Sequence, residues 1–271
     1  MSKKLRIMVI GAHPDDCETS GGIALRFVRL GHSVKFLCAT NGFSGHQSTM
    51  GGELSQIRWK EALSVSKLTG IEVEFLDNND GYLTPGLPER TAMMRAIRIY
   101  APDIIITHRP NDYHPDHRNT SILVQDCSYL VQVPNVCPMT PVLRYQPAIF
   151  YMQDSFKKPY PFQPDLVFDI TDVFEEKMRM WHQYKSQMYD WLPWVDNVDK
   201  SEIPEDDEER FKWLLNSRFA QASKDFADEN RVLLVKKYGE RGKQAKYAEG
   251  LEICEYGGHF SDEQLAEYFN F

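Results

Sequence analysis

A histidine and two carboxylates, His13, Asp15 and Asp16, follow directly on the apolar run Ile7-Met8-Val9-Ile10. Later in the chain, His114-Pro115-Asp116-His117 follows a second apolar run, Ile104-Ile105-Ile106. These are the ligand types of a catalytic zinc ion, which keeps three protein ligands and leaves one position open to water. His13 and Asp16 stand three apart on a turn whose flexibility Pro14 limits, and His117 is the natural third ligand. Two histidines and a carboxylate suit Zn²⁺, and also Fe²⁺, Co²⁺ or Mn²⁺. Asp15 is then left over, next to a ligand, where a general base for metal-bound water belongs. His114, if protonated, would stabilise an oxyanion or donate to a leaving amine, with Asp116 holding its ring.

Either motif alone is weak. His-Pro-Asp is usually only a turn, and His-x-x-His is often a pair of surface histidines on one helical turn. Their joint occurrence after two strands changes the weight, because an open α/β sheet places its site beyond the carboxyl ends of its strands.

The elements that would position these residues alternate. Strands are expected at Leu5–Ile10, His32–Thr40, Val73–Leu76, Asp103–Thr107, Ala148–Met152 and Leu166–Ile170. Helices are expected from Gly21 to near Gly31, over Leu54–Leu68, Glu89–Tyr100 and Ile122–Leu130, and as one long segment over Val173–Gln187. This alternation implies an α/β fold with a mainly parallel sheet. Beyond it, Glu205-Asp206-Asp207-Glu208-Glu209 reads as a solvated helix start or surface loop, and Lys212–Leu234 reads as helix. With no repeat and no low-complexity linker, the expectation is one domain over residues 1–271. Its core covers about 5–187, and a mostly helical C-terminal elaboration covers about 188–271.

Composition narrows the ligand class. At 271 residues, 42% hydrophobic and 26% charged, the chain is ordinary globular protein. The net charge of −8 argues against nucleic acid, whose phosphates need clustered Lys and Arg. Five cysteines without a CxxC pair read as free thiols in a reducing compartment, so a cytoplasmic location is expected. No apolar run approaches the roughly 20 residues of a membrane span. The oligomeric state stays open, a homo-oligomer included.

Ala12-His13-Pro14-Asp15-Asp16 together with His114-Pro115-Asp116-His117 resembles the LmbE/PIG-L family of zinc-dependent deacetylases. The resemblance covers roughly Leu5 to Gln187 and returns weakly at Lys246–Gly250. It implies a Rossmann-like three-layer fold and removal of an acetyl group from an N-acetylglucosamine unit of a small glycoconjugate. It also implies His13, Asp16 and His117 as metal ligands, Asp15 as general base, and His114 beside the tetrahedral intermediate with Asp116 behind it. Ile57-Arg58-Trp59-Lys60-Glu61-Ala62 resembles a family stretch in which Arg58 would contact substrate hydroxyls. An exposed helix salt bridge is the plainer reading of Arg58. Asp80, before Gly81, stands where the family often has a sugar-binding aspartate, and a turn aspartate is the plainer reading.

The chain departs from the family in having Cys17 where Glu commonly follows the second Asp. Cys17 reads as a small buried residue more readily than as an extra ligand. Tyr113 would supply an oxyanion donor or merely pack. Trp181, Tyr184, Trp191 and Trp194 fit core positions better than a sugar-stacking face. Three rivals stand beside the deacetylase reading: a metal amidase on a thiol conjugate or other amide, a nucleotide-binding module, and a non-catalytic carbohydrate binder. Gly11 followed by Gly21-Gly22 is no G-x-G-x-x-G, which weakens the nucleotide rival. An unneeded base at Asp15 weakens the carbohydrate binder.

Overall fold

Alternate residues of the first strand serve two different cores. Ile7 and Val9 enter one, Met8 and Ile10 the other, and all four are fully buried. A strand apolar on both sides belongs at the centre of a sheet covered on both faces. The computed structural model describes residues 3–271 and shows that arrangement; Met1 and Ser2 of the expected domain lie outside the described residues.

Seven strands form one sheet: β1 (Arg6–Gly11), β2 (Ser33–Cys38), β3 (Glu72–Phe75), β4 (Ile104–Thr107), β5 (Ala148–Met152), β6 (Leu166–Asp169) and β7 (Ala248–Ile253). Their order is β3-β2-β1-β4-β5-β7-β6, with β7 antiparallel to both its neighbours and the other pairs parallel. Helices α1 (Gly21–Arg29), α2 (Gly51–Thr69) and α5 (Phe174–Gln183) contribute to the core on the Ile7 face. Helices α3 (Leu87–Tyr100) and α4 (Pro115–Leu130) contribute to the core on the other. The strand order reverses between β1 and β4, so the crevice beyond their carboxyl ends is the place for a ligand. Both sequence motifs open there.

Three expectations change. Helix α4 begins at Pro115, not near Ile122, because His114 caps it and accepts the Asp116 N–H at 3.1 Å. Pro115 at the first helical position has no N–H to leave unpaired. The long helix expected over Val173–Gln187 stops at Gln183, and Tyr184 leaves the helical region (φ −83°, ψ 66°). A π-helical turn, Ser186–Trp191, then runs into α6 (Leu192–Val195). Glu61 of α2 holds this break, accepting the Ser186 N–H and O–H at 2.7 Å each.

The segment expected as helix over Lys212–Leu234 is three helices: α7 (Asp207–Leu215), α8 (Arg218–Glu229) and α9 (Arg231–Tyr238). The Ser217 hydroxyl caps α8, and Asn230 separates α8 from α9. The acidic run is a helix start, where Asp206 accepts the Glu208 and Glu209 N–H groups at the positive end of α7. After α10 (Glu240–Gln244) the tail returns to the sheet as β7 before α11 (Asp262–Tyr268). A boundary near 187 therefore does not enclose the core, since β6 joins the sheet only through β7.

Candidate metal centre and active site

The turn after β1 brings Asp16 back over the strand end. A Cβ at Gly11 would stand 2.7 Å from the Asp16 Cβ, so the turn closes only over a glycine. Asp16 accepts the His13 N–H at 2.7 Å. Asp15, between them, has φ 109°, a conformation that costs a non-glycine residue of order 1–3 kcal/mol and concentrates at functional sites.

Three ligand atoms converge. His13 Nδ1 lies 3.2 Å from His117 Nε2, and Asp16 Oδ2 lies 3.4 Å from each. Bonds of about 2.05 Å to a tetrahedral zinc set ligand atoms about 3.3 Å apart, so the triangle fits such an ion. The residues around it fix the tautomers. His13 Nε2 meets Asp116 Oδ2 at 3.0 Å, and His117 Nδ1 meets Asp112 Oδ1 at 3.0 Å. Each carboxylate accepts the ring proton, leaving the inward nitrogen with its lone pair, as orienting partners of metal-bound histidines do.

Two further histidines stand close. His13, His114 and His117 form one group, and Asp16, His108 and His117 another, each with ligand atoms within 4.8 Å of one another. The His108 Nε2 facing Asp16 already accepts the Ala12 N–H at 3.1 Å, and its ring stacks on His117 at 4.1 Å. Its lone pair is occupied, so His108 buttresses the ligands.

Electrostatics match this division. Burial opposes the Asp16 carboxylate, yet the His117 charge and then the neighbouring His108 and His13 rings hold its pKa well below the usual range. Burial also opposes charge on His13, but hydrogen bonds to Asp116 and Asp16 hold its pKa well above the ordinary imidazole value. For His117, burial is outweighed by the Asp16 charge and the Asp112 hydrogen bond, and the pKa rises. A cation is favoured at the centre of this cluster, as a proton or as a metal ion. For Asp15 the direction reverses: burial, then the adjacent Asp16 charge, push its pKa up to about 7. A carboxyl poised there suits general acid–base work near neutral pH.

Several expected residues act differently from the sequence reading. Asp116 does not hold the His114 ring: its Oδ2 is 4.0 Å from His114 Nδ1, and bonds His13 and the Gly81 N–H instead. Burial, then the charges of His13 and His117, lower the His114 pKa. Because His114 Nδ1 accepts the Asp116 N–H, the proton of the neutral ring sits on Nε2, which leaves His114 able to donate while uncharged. Arg58 is buried, not exposed; it donates to the Gly45 carbonyl at 2.8 Å, and its Nη1, 3.9 Å from Glu61 Oε2 one helical turn on, has no hydrogen-bond partner. Asp80 accepts the Gly42 N–H at 2.8 Å and the Ser44 N–H at 3.4 Å, fastening the loop that covers Arg58. The Cys17 thiol points back into the sheet, towards the Val9 and Leu37 carbonyls. The Tyr113 ring is 71% exposed and packs edge-on to His114 and His117. Trp181 and Tyr184 are buried, while Trp191 and Trp194 stack on one another beside Gly45.

Other residues of the site escaped the sequence reading. Asp112 and His108 carried a signal, a carboxylate two residues before the His114 motif and a histidine closing β4. Gln187 carried none. The π-helical turn delivers its Nε2 to Asp15 Oδ2 at 3.2 Å, and the Trp181 indole N–H donates to the Asp15 carbonyl at 3.0 Å. Asp15 Oδ1 is left buried without a partner. One oxygen is held and the other is free.

With this geometry in hand, residues 8–128 match the family model PIG-L, described as GlcNAc-PI de-N-acetylase. The stretch from β1 into α4 is therefore similar to that family. It is 26% identical over 205 residues to the diacetylchitobiose deacetylase of Thermococcus kodakarensis, covering 71% of this chain and 76% of that one. The N,N'-diacetylchitobiose deacetylase structure from Pyrococcus horikoshii superposes with a TM-score of 0.66 at 25% identity, over 93% of this chain and 84% of that one. A 4-oxalmesaconate hydratase of Pseudomonas putida is 24% identical, over 63% of this chain and 69% of its own. The PIG-L match ends within α4, so Gln187, Trp181 and every strand after β4 lie outside it.

Proposed function

We propose that the chain is a zinc-dependent N-deacetylase acting on an N-acetylglucosamine-type unit of a small glycoconjugate. The observation that carries this is the triangle of His13 Nδ1, Asp16 Oδ2 and His117 Nε2 with a partnerless Asp15 oxygen beside it. The deacetylase relatives support the substrate class. His13, Asp16 and His117 would hold the ion, which when bound supplies a Lewis acid for the amide carbonyl and lowers the pKa of water.

Asp15 accepts the proton of the attacking water, with Gln187 holding its other oxygen so that the carboxylate does not rotate away. His114 Nε2–H donates to the oxyanion as charge develops there, from a ring whose other nitrogen is fixed by the Asp116 N–H. The proton on Asp15 then passes to the departing amine. Asp112 and Asp116 keep the two ligand rings in register. Arg58 and Asp80 flank the base and His13 and would border the sugar, Arg58 through its unpartnered Nη1.

No helix among the described residues is long and apolar enough to cross a membrane. Free cysteines, four of them buried, support a reducing, cytoplasmic setting, and the single sheet that β5, β6 and β7 complete supports a chain that acts as one domain. Acetate release from N-acetylglucosamine conjugates, before chelation, after it and after Zn²⁺ add-back, tests the proposal. Release that stops on chelation and returns with zinc is the expected result. Release indifferent to the chelator refutes the metal role, and no release from any N-acetyl sugar refutes the substrate class.

A further inference from the structure

The amide that holds Asp15 stands where a regular helix would not put it. Trp181 of α5 donates its indole N–H to the Asp15 carbonyl at 3.0 Å, and Gln187 donates to Asp15 Oδ2 at 3.2 Å. Six residues along an α-helix make a rotation of about 240°, so a continuous helix would hold these two side chains roughly 120° apart. Gln187 would instead stand over Gln183, four residues back, whose amide donates to the Arg179 carbonyl of its own helix. Trp181 and Gln187 reach one residue together only because α5 stops at Gln183 and the chain passes into the π-helical turn Ser186–Trp191.

A carboxylate from another element holds the turn. Glu61 of α2 is buried, and both its oxygens meet Ser186, the residue before Gln187: Oε1 accepts the N–H and Oε2 the O–H, each at 2.7 Å. In a continuing helix the Ser186 N–H would donate to the His182 carbonyl. Glu61 gives that N–H an acceptor outside the helix, so the break is stabilised at the point where it occurs. Hydrogen bonds to an ionised acceptor are roughly twice as strong as neutral ones, and these two offset the burial of the carboxylate. Helices α2 and α5 already share an apolar core through Ala62, Val65 and Met178. The carboxylate adds something that packing does not, a fixed backbone position from which the Gln187 side chain departs.

We propose that Glu61 is a positioning residue of the hydrolysis: by clamping Ser186 it fixes Gln187, and through Gln187 the orientation of the Asp15 carboxylate. The inference rests on the reading of Asp15 as general base and adds the element that aims it. No bond forms or breaks at Glu61 and no proton leaves it, so its effect is on geometry alone. With the clamp released, Gln187 leaves Asp15 Oδ2, and the carboxylate rotates among orientations of which only some present its partnerless Oδ1 to the water.

The test is acetate release from an aryl glycoside of N-acetylglucosamine by the zinc-loaded chain, with amide exchange at Ser186 followed on the same proteins. The native chain is compared with Glu61→Ala, Glu61→Gln, Ser186→Ala, Gln187→Ala and the double variant Glu61→Ala/Gln187→Ala. Glu61→Ala and Gln187→Ala should each lower kcat about 10–100-fold, as a misplaced group does, with KM little changed. The double variant should be no slower than the slower single one, since both break one chain of contacts. Glu61→Gln keeps the shape and can meet Ser186 with one acceptor and one donor, so it should recover most of the kcat lost in Glu61→Ala. Ser186→Ala removes one bond and strands no charge; it should lower kcat about fivefold, and it carries the test if Glu61→Ala does not fold. Exchange of the Ser186 amide should quicken about fivefold in Glu61→Ala and stay native in Gln187→Ala. Native kcat in any of the three alanine variants overturns the proposal, and so do single losses that multiply in the double variant. A Glu61→Gln as slow as Glu61→Ala also overturns it, making the charge beside Arg58 the cause. Unchanged Ser186 exchange in Glu61→Ala refutes the clamp whatever the substrate. No release by the native chain would remove the deacetylase reading and this one together, whereas an active chain indifferent to Glu61 overturns this one alone.

Discussion

Two buried clusters of charge lie close together and could hardly be treated more differently. In one, Lys177 and Glu249, each 1% exposed, are fully provided for. Glu249 accepts the Gly22 and Ile23 N–H groups at the start of α1, and Lys177 donates to the Thr19 carbonyl as well as to Glu249. In the other, around Asp15 and Asp16, the backbone is strained at Asp15, and Asp15 Oδ1, Asp116 Oδ1 and Glu18 Oε2 are buried without partners. A satisfied buried pair ties β7, α1, α5 and the 17–20 turn into one unit. An unsatisfied cluster is costly unless a ligand completes it. The structural pair is the frame on which the functional cluster is held.

Substitution should separate the two. Asp15→Asn removes the base while keeping the shape, and should lower kcat by about 10²–10⁴-fold. Its zinc content, by elemental analysis after dialysis, should stay at the native level; near-native turnover would sink the assignment. Lys177→Ala strands Glu249 in the interior and should cost about 3–5 kcal/mol in denaturant unfolding. A loss below 1 kcal/mol would show that water reaches the pair, and the frame would then not be rigid.

Asp112→Asn should weaken zinc binding by about 10–100-fold through the loosened His117 ring, read by competition with a chromogenic chelator. Unchanged affinity would mean that Asp112 does not set the tautomer. The smallest effect concerns Glu18. Burial, with Asp15 nearby, pushes its pKa from the ordinary 4.5 up to about 8. Because the folded value is the higher one, the stability it contributes is full below pH 4.5 and is lost as the pH rises towards 8. Glu18→Gln, a permanently neutral isostere, should flatten that decline and raise the melting temperature more at pH 8 than at pH 5. Parallel curves for the two proteins would place the titration elsewhere.

The comparison also explains what could be read in advance. The turn His13–Asp16 and the His114–His117 motif are local, and their residue types announce metal chemistry wherever two strands end side by side. Expecting Asp116 behind His114 failed because the carboxylate reaches across the switch point to His13, a contact between residues far apart in sequence. Gln187 was invisible for a related reason. It follows a helix that by periodicity should have continued, and only Glu61, gripping Ser186 from α2, turns the chain so that its amide meets Asp15.

The sequence by itself determined which residue types could hold a metal, the carboxylate proposed as base, and an alternating α/β chain to bring them together, since apolar period and motif spacing are properties of neighbouring residues. Tertiary structure decided which histidine each carboxylate orients, which oxygen of Asp15 stays free, and that a large cavity opens beside Asp16 and His117. Those outcomes depend on β7, α5 and α8 packing around a site to which they contribute no ligand, and packing between distant segments leaves no periodic trace in the chain.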